Sequence, residues 1–406
     1  MNDSQPATDV PRRTLHAYVS DLALQVMNAA PASGWVEVDG TLAFFDISGF
    51  TKLTERLARL GRSGAEHIND VLNTVFQGLI GEVFRRGGDV LEFGGDAMVV
   101  LFTGDDHQRR AASATAEMFR FMADDGRIVT PLGDARLRMS CGIASGSQAY
   151  YLLGTTRRAL LVAGPTSTAM AQLEASANAS EALINDVLAV ALQSAWITHR
   201  HSDGALRLRL GGVPTTERSE AGVSRLLSRD DEHIARLLPT QFGSMLDGGH
   251  RAGELKQVAM SFIRLNGTDD LLATEGIDGV HARLDEITEI VDRASAELDV
   301  CWLETQAEAN SVRWTLISGA PTATERDGER LLRVLRRIAD ETPSPLRIGA
   351  NLGVVFVGDM GHAQRCTYIV MGDATNLAAR LMAKAAPGQI IAGERSEERR
   401  VGKECA

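Results

Sequence analysis

No stretch of this chain approaches the ~20 consecutive apolar residues that a bilayer-spanning helix requires, so no crossing helix is expected within it. Arg12-Arg13 is followed by neither an apolar core nor a small-residue cleavage site, so no secretory signal is expected either. Cysteine is scarce: the four residues, at 141, 301, 366 and 405, show no Cys-x-x-Cys or Cys/His ligand spacing. That pattern argues against a disulfide framework or structural zinc, and for reduced thiols on core strands of a cytoplasmic protein. Positive charge is not in excess, since 42 Lys and Arg face 53 Asp and Glu for a net charge of −11. Such a balance disfavours nonspecific nucleic-acid binding. What remains is an ordinary globular composition over 406 residues, enough for two or three domains with their own cores.

The chain repeats itself at low similarity. The apolar run 41–47 ending in Ser48-Gly49 has a counterpart in 258–265 ending in Asn266-Gly267. Cys141-Gly142-Ile-Ala-Ser-Gly146 matches Ile348-Gly349-Ala-Asn-Leu-Gly353, and each is followed at a similar distance by a glycine, Gly164 and Gly372. Apolar periodicity predicts long helices over 64–86 and 277–298, each followed by a hairpin: 90–93 with 97–102, and 300–303 with 312–317. Strands alternating with helices that cover one face predict an α+β sandwich, formed twice. The expected organisation is a helical N-terminal extension over 1–36 (an amphipathic helix at 15–27) and a first domain over 37–210. A linker follows over 211–256, with a short helix near 231–238, then a second domain over 257–394.

Two carboxylates stand out in the first unit, Asp46 in Phe45-Asp-Ile-Ser-Gly-Phe-Thr51 and Asp96 in Gly94-Gly-Asp-Ala97. Either alone reads as a strand-end cap or a turn residue; together they read as hard oxygen ligands for divalent ions. The turn Ser48-Gly49-Phe50-Thr51 opens a helix whose free N–H groups suit phosphate oxygens. Near the end of the chain, Asn376 and Arg380 stand four apart in Gly372-Asp-Ala-Thr-Asn-Leu-Ala-Ala-Arg-Leu381, which puts both on one helix face. That face is otherwise a plain solvated one.

These motifs in combination resemble class III nucleotidyl cyclases, and their tandem arrangement is most similar to the soluble adenylyl cyclase branch and its bacterial relatives. The resemblance covers about residues 38–393. It implies two ferredoxin-like (βαββαβ-type) domains paired as an intramolecular pseudo-heterodimer with one working site at their interface. It also implies two Mg²⁺ or Mn²⁺ ions on Asp46, Asp96 and the Ile47 carbonyl, with Gly49, Phe50, Thr51, Gly95 and Arg138 around the phosphates. Asn376 then orients the ribose and Arg380 meets charge growing on the α-phosphate. The expected reaction is cyclisation of ATP to 3′,5′-cyclic AMP with release of pyrophosphate. The second unit carries Arg264 where Asp46 would be, and the first carries Thr168 and Gln172 where Asn376 and Arg380 would be. A second, pseudosymmetric site is therefore expected to be vacant or regulatory.

Base selection departs from the adenylyl pattern. The family's lysine and acceptor positions fall on Glu304 and Ile369, with Gln306 or Glu308 as alternatives in a loosely defined register. An ionised glutamate accepts only, which suits guanine, so guanylate cyclase is the alternative, and a noncatalytic nucleotide-sensing module a further one. A diguanylate cyclase fits less well, because Ala97-Met98 follows Gly-Gly-Asp96 where Glu-Phe would be expected. Glu92 replaces a lysine associated with bicarbonate response, so no bicarbonate activation is expected. Residues 395–406 read as a translated sequencing adapter. On that reading the second unit is truncated, and the ATPase and helical-repeat region of relatives is a partner region lost with it.

Overall fold

The computed structural model describes residues 15–29, 31–200, 202, 204–215, 231–242 and 253–393. Two antiparallel-based sheets organise them. In the first unit the core strands are β1 (Trp35–Ser48), β2 (Asp89–Gly94), β3 (Ala97–Thr103), β4 (Arg138–Leu153) and β5 (Ala159–Ala163). The sheet runs β2-β3-β1-β4 and continues through β6 (Ala182–Ile184), β8 (Leu206–Leu208) and β7 (Ile197–His199), while β5 pairs with the far end of β4. The second unit repeats this with β9 (Glu254–Asn266), β10 (Cys301–Glu308), β11 (Ser311–Ser318), β12 (Arg347–His362) and β13 (Arg365–Met371) in the order β10-β11-β9-β12-β13. A short β14 (Ile390–Ala392) lies parallel to β12, as β6 lies parallel to β4.

The helices follow the same repeat. After α1 (Asp21–Ala29), helices α2 (Phe50–Ala58) and α3 (Arg62–Arg85) are separated at Gly61, which sits at φ 62°. In the second unit α6 (Thr268–Glu297) breaks at the equivalent place, Gly276, at φ 71°. Left-handed backbone of this kind costs glycine nothing and other residues strain. α3 buries Ile68, Leu72, Val75, Phe76 and Leu79, and α6 buries Val280, Leu284, Ile287 and Val291, the spacing of one helical stripe. α4 (His107–Asp125), α5 (Pro165–Ser176), α7 (Asp327–Glu341) and α8 (Asp373–Lys384) complete the covering layers.

Each unit completes the core of the other. The outer arm of β12–β13 sends Phe356, Met360, Ile369 and Met371 into the cluster formed by α3 and the first sheet. Reciprocally, Ala149, Tyr151, Leu153 and Leu161 from β4–β5 enter the cluster of α6 and the second sheet. The turn glycines are held alike, Gly361 N–H donating to Asn73 Oδ1 (3.3 Å) and Gly154 N–H to Asp285 Oδ1 (2.7 Å).

Some boundaries differ from expectation. The N-terminal segment is a 3₁₀ turn (Leu15–Tyr18) and then α1, whose first amides, Asp21 N–H and Leu22 N–H, donate to the Asp89 carboxylate at 3.2 and 2.9 Å. β9 starts at Glu254 because β12 is long enough to pair with it there. The helix expected over 231–238 spans Asp231–Ala235. Cys141, Cys301 and Cys366 are buried on strands; Cys405 and the adapter-like tail lie outside the described residues. No helix among the described residues is long and apolar enough to cross a membrane.

Candidate active site

Asp46 ends β1 beside Ala97, and Asp96 occupies the tight turn between β2 and β3, where its carbonyl accepts from Ile47 N–H at 3.2 Å. The two carboxylates face one another closely enough that Asp46 raises the pKa of Asp96. Burial is the larger cause, and together they bring Asp96 to about 7. Asp46 is raised as well, by burial. Among the described residues neither acid makes an ion pair. Two adjacent carboxylates without an ion-paired cation form a donor set suited to a hard divalent ion. They make up the two acids of the expected set; no cluster of three His, Cys, Asp or Glu ligands occurs among the described residues.

Around this pair the structure places the other expected residues unequally. Gly49, at φ 106°, caps α2 without a side-chain hydrogen bond, leaving first-turn amides of α2 for an anion. Phe50 contributes only backbone there, because its ring is buried against Phe76. Thr51 lies in the same first turn. Gly95, at φ 71°, has no neighbour near its missing side chain, so the turn is open on that side. Arg138 is exposed at the start of β4, directly opposite Ser48.

α8 packs onto β12 through Ala378 and Met382, and a Cβ on Gly349 would meet the Met382 nitrogen and Ala378 oxygen at 2.1 and 2.4 Å. Gly142 permits the same closeness between β4 and α5. This packing turns Asn376 and Arg380 outward; both are exposed, and Arg380 bonds to Asp373 of its own helix at 3.3 Å. The pseudosymmetric seam holds the counterpart of α8. There Thr168, the counterpart of Asn376, accepts from the backbone N–H of Asn310 at 3.0 Å. Asn310 lies in the turn of the second hairpin, which runs two residue pairs further than the first: Arg264 lies opposite Arg313 where Asp46 lies opposite Ala97, and Val312 and Ser311 continue beyond it. The Arg264 side chain pairs with Glu308, which also meets Arg313 at 2.9 Å. Glu308 is thereby occupied, and so is Gln306, which donates to the Phe93 carbonyl and accepts from Arg313.

The expected base contacts separate. Ile369 is buried in the core that also holds Phe76 and Phe93, with its side chain given to packing. Glu304 lines a cavity of about 140 Å³ between the units. Burial lifts its pKa to about 7 against the pull of Arg313, Thr315 and Arg157. Glu92 lines the same cavity and is raised to about 8 by burial and by the facing Glu304. Both follow a β-bulge at the same place in their hairpins, after Val90 and after Trp302, so they are structural counterparts.

Three functional features escaped the sequence reading. Glu174 on α5 accepts from Ser140 Oγ at 3.0 Å, and Asp46 contributes to the upward shift of its pKa behind burial, so a third acid borders the pair. Arg365 crosses to the first unit and donates to the carbonyls of Val90 and Leu91 at 2.8 and 3.0 Å. Arg157 crosses the other way to the carbonyls of Trp302 and Leu303. Their only linear signal is position: each stands seven residues before a matched glycine, Gly164 or Gly372.

Residues 37–213 match the family model described as "Adenylate and Guanylate cyclase catalytic domain". Adenylate cyclase type 10 of Oryctolagus cuniculus is 33% identical over 131 residues, covering 31% of this chain and 8% of that protein. The Homo sapiens protein of the same name is 42% identical over 66 residues, covering 16% and 4%. The chain thus matches less than a tenth of the length of these curated relatives. A class III adenylyl cyclase-like ATP-binding protein from Pseudomonas aeruginosa superimposes with TM-score 0.58 at 13% identity, over 90% of this chain and 85% of that one. At that identity it establishes the fold alone.

Proposed function

We propose, from the match of residues 37–213 to the adenylate and guanylate cyclase catalytic domain family, that this chain converts ATP to 3′,5′-cyclic AMP and pyrophosphate at one site between its units. What supports this reading is the Asp46–Asp96 pair, close enough that Asp46 raises the pKa of Asp96 and without an ion pair among the described residues, together with Asn376 and Arg380 exposed on α8. GTP is the second reading, favoured by Glu304 in the interdomain cavity.

Asp46, Asp96 and the Ile47 carbonyl would hold Mg²⁺ or Mn²⁺, two ions in the full arrangement. A metal held there would supply the Lewis-acid charge that the reaction needs. The α2 amides after Gly49, with Arg138, hold phosphate oxygens. Asn376 fixes the ribose so that its 3′-oxygen lies in line with the bond to be broken. That oxygen bonds to the α-phosphorus, its proton passes to water, and the bond from the α-phosphorus to the bridging oxygen breaks, with the electron pair leaving on pyrophosphate. Arg380 stabilises the charge gathered on the α-phosphate as this happens. The enzyme works in the cytoplasm, with its two units as each other's partner.

The test is cyclic nucleotide formation from ATP and from GTP with Mn²⁺, using wild type, Asp46→Ala and Arg264→Ala. The expected result is abolished turnover in the first variant and retained turnover in the second. Comparable losses in both would overturn the single-site assignment, and no product from either nucleotide would overturn the activity.

A further inference from the structure

Strand β2 is an edge of the first sheet, so its outward carbonyls have no strand to pair with. The second unit supplies the partners. Arg365 donates to Val90 and Leu91 at 2.8 and 3.0 Å, and Gln306 donates to Phe93. The Phe93 carbonyl is the last of these before the turn Gly94-Gly95-Asp96. Gln306 is buried, and its amide lies over Gly94, where a Cβ would come within 3.5 Å of Nε2. Gln306 itself stands on β10 opposite Arg313, two pairs before that hairpin ends, on regular ladder.

The amide has one orientation. Arg313 donates to Gln306 Oε1 while Gln306 Nε2 donates to the Phe93 carbonyl, and a flipped amide would set donor against donor and acceptor against acceptor. Arg313 is held in turn by Glu308 at 2.9 Å, and Glu308 by Arg264. A continuous chain thus runs from Arg264, the residue at the position of Asp46, to the turn that bears Asp96. The path is one-way. Gly94 holds the place in the first hairpin that Gln306 holds in the second, opposite Ala97 and Arg313 respectively, and has no side chain to return the contact.

Resting on the metal role proposed above for Asp46 and Asp96, we propose that Gln306 is a positioning residue for the metal site, bracing from the second unit the turn that carries Asp96. Gly94 and Gly95 leave that turn loose by themselves, and Gly95, at φ 71°, has nothing near its missing side chain. Asp46 and Asp96 stand close enough to repel each other before any cation binds. Left alone, the turn relieves that repulsion by swinging Asp96 away. Fixing the Phe93 carbonyl, three residues before Asp96, keeps the two acids together, so the ordering is complete before a divalent ion arrives. The second unit, with an arginine in place of its own acid, thereby sets the affinity of the acids in the first.

The experiment titrates the nucleotide-free protein with Mn²⁺ at pH 8 and reads free Mn²⁺ by electron paramagnetic resonance, alongside urea unfolding in chelator and cyclic nucleotide formation. Gln306→Met removes the donor and keeps the length. It is expected to weaken Mn²⁺ binding about tenfold, the lower end for groups that orient metal ligands. Raising Mn²⁺ should restore kcat to within about twofold of wild type, because the reacting groups remain. Gln306→Glu keeps the length and the Arg313 partner, but a carboxylate only accepts. Its added negative charge alone would tighten a cation, so weakened binding in this variant too identifies the lost Phe93 contact as the cause. A purely structural Gln306 would move the urea midpoint and leave Mn²⁺ affinity where it was. Unchanged affinity in both variants, or tighter binding in Gln306→Glu, would overturn the proposal while leaving cyclase activity in place. Weakened binding in variants of a protein that makes no cyclic nucleotide would sustain the brace and overturn the cyclase reading.

Discussion

Replacing Glu92 by Gln should change how the protein's stability depends on pH, and the size of the change follows from where the carboxyl sits. Glu92 lines the interdomain cavity, and its folded-state pKa is raised from 4.5 to about 8, by burial first and by Glu304 second. A raised acid means that between these values the folded state binds a proton the unfolded chain has released. Its stabilising contribution is complete below pH 4.5 and is lost as pH climbs through the folded value. One proton corresponds to about 1.4 kcal/mol per pH unit. From pH 5.5 to 7.5 the accumulated loss is about 2.5 kcal/mol. Gln keeps the shape and does not titrate. Urea unfolding in chelator, followed through buried Trp302 and Trp314, should therefore show wild type losing about that much more stability than Glu92→Gln over this range. Asp89, raised to about 6, and Asp96 titrate in both proteins and largely cancel. Parallel pH curves would refute the reasoning, because they would mean that Glu92 is solvated and the cavity is not closed around it.

Two further substitutions separate chemistry from architecture. Arg380→Ala removes a guanidinium that is 64% exposed, so unfolding free energy should move by no more than about 0.5 kcal/mol. Turnover should fall by roughly 10²–10³; equal losses in both measurements would place Arg380 in the fold instead. Arg365→Ala should do the reverse at first order, costing about 3–5 kcal/mol in denaturant unfolding, because Val90 and Leu91 lose a charged partner for their carbonyls in a buried seam. A loss below about 1 kcal/mol would show that the seam rehydrates.

What a linear reading recovers here is whatever one unit determines by itself. Gly142 and Gly349 were visible as a repeat because a helix lies against each, too close for any side chain. Asp46 and Asp96 were visible because short loops within one sheet place them. The pairing of Glu92 with Glu304, and the reach of Arg157 and Arg365, depend on how two sheets dock. No local spacing encodes that docking. Glu174 was missed for a related reason: it borders Asp46 only because α5 folds back over β4. The register around Glu304 was uncertain because a bulge shifts the pairing between Trp302 and Glu304, and a bulge inserts a residue without changing the apolar pattern.

The interface is symmetric in what holds it and asymmetric in what it can do. Arg157 and Arg365 grip equivalent bulges from opposite sides, so both units need the same clamp whatever their chemistry. The seams then diverge in how they balance charge. In the second unit Arg264 stands in place of Asp46, and with Arg313 it neutralises Glu308, so that seam carries its own cations. Thr168 closes it further by accepting from Asn310 across the boundary. In the first unit two carboxylates repel each other with no arginine or lysine paired to them among the described residues. Buried like charges persist only where something else compensates them, and on the function proposed above a cation bound from solution would be the compensation that an internal arginine makes unnecessary on the other side.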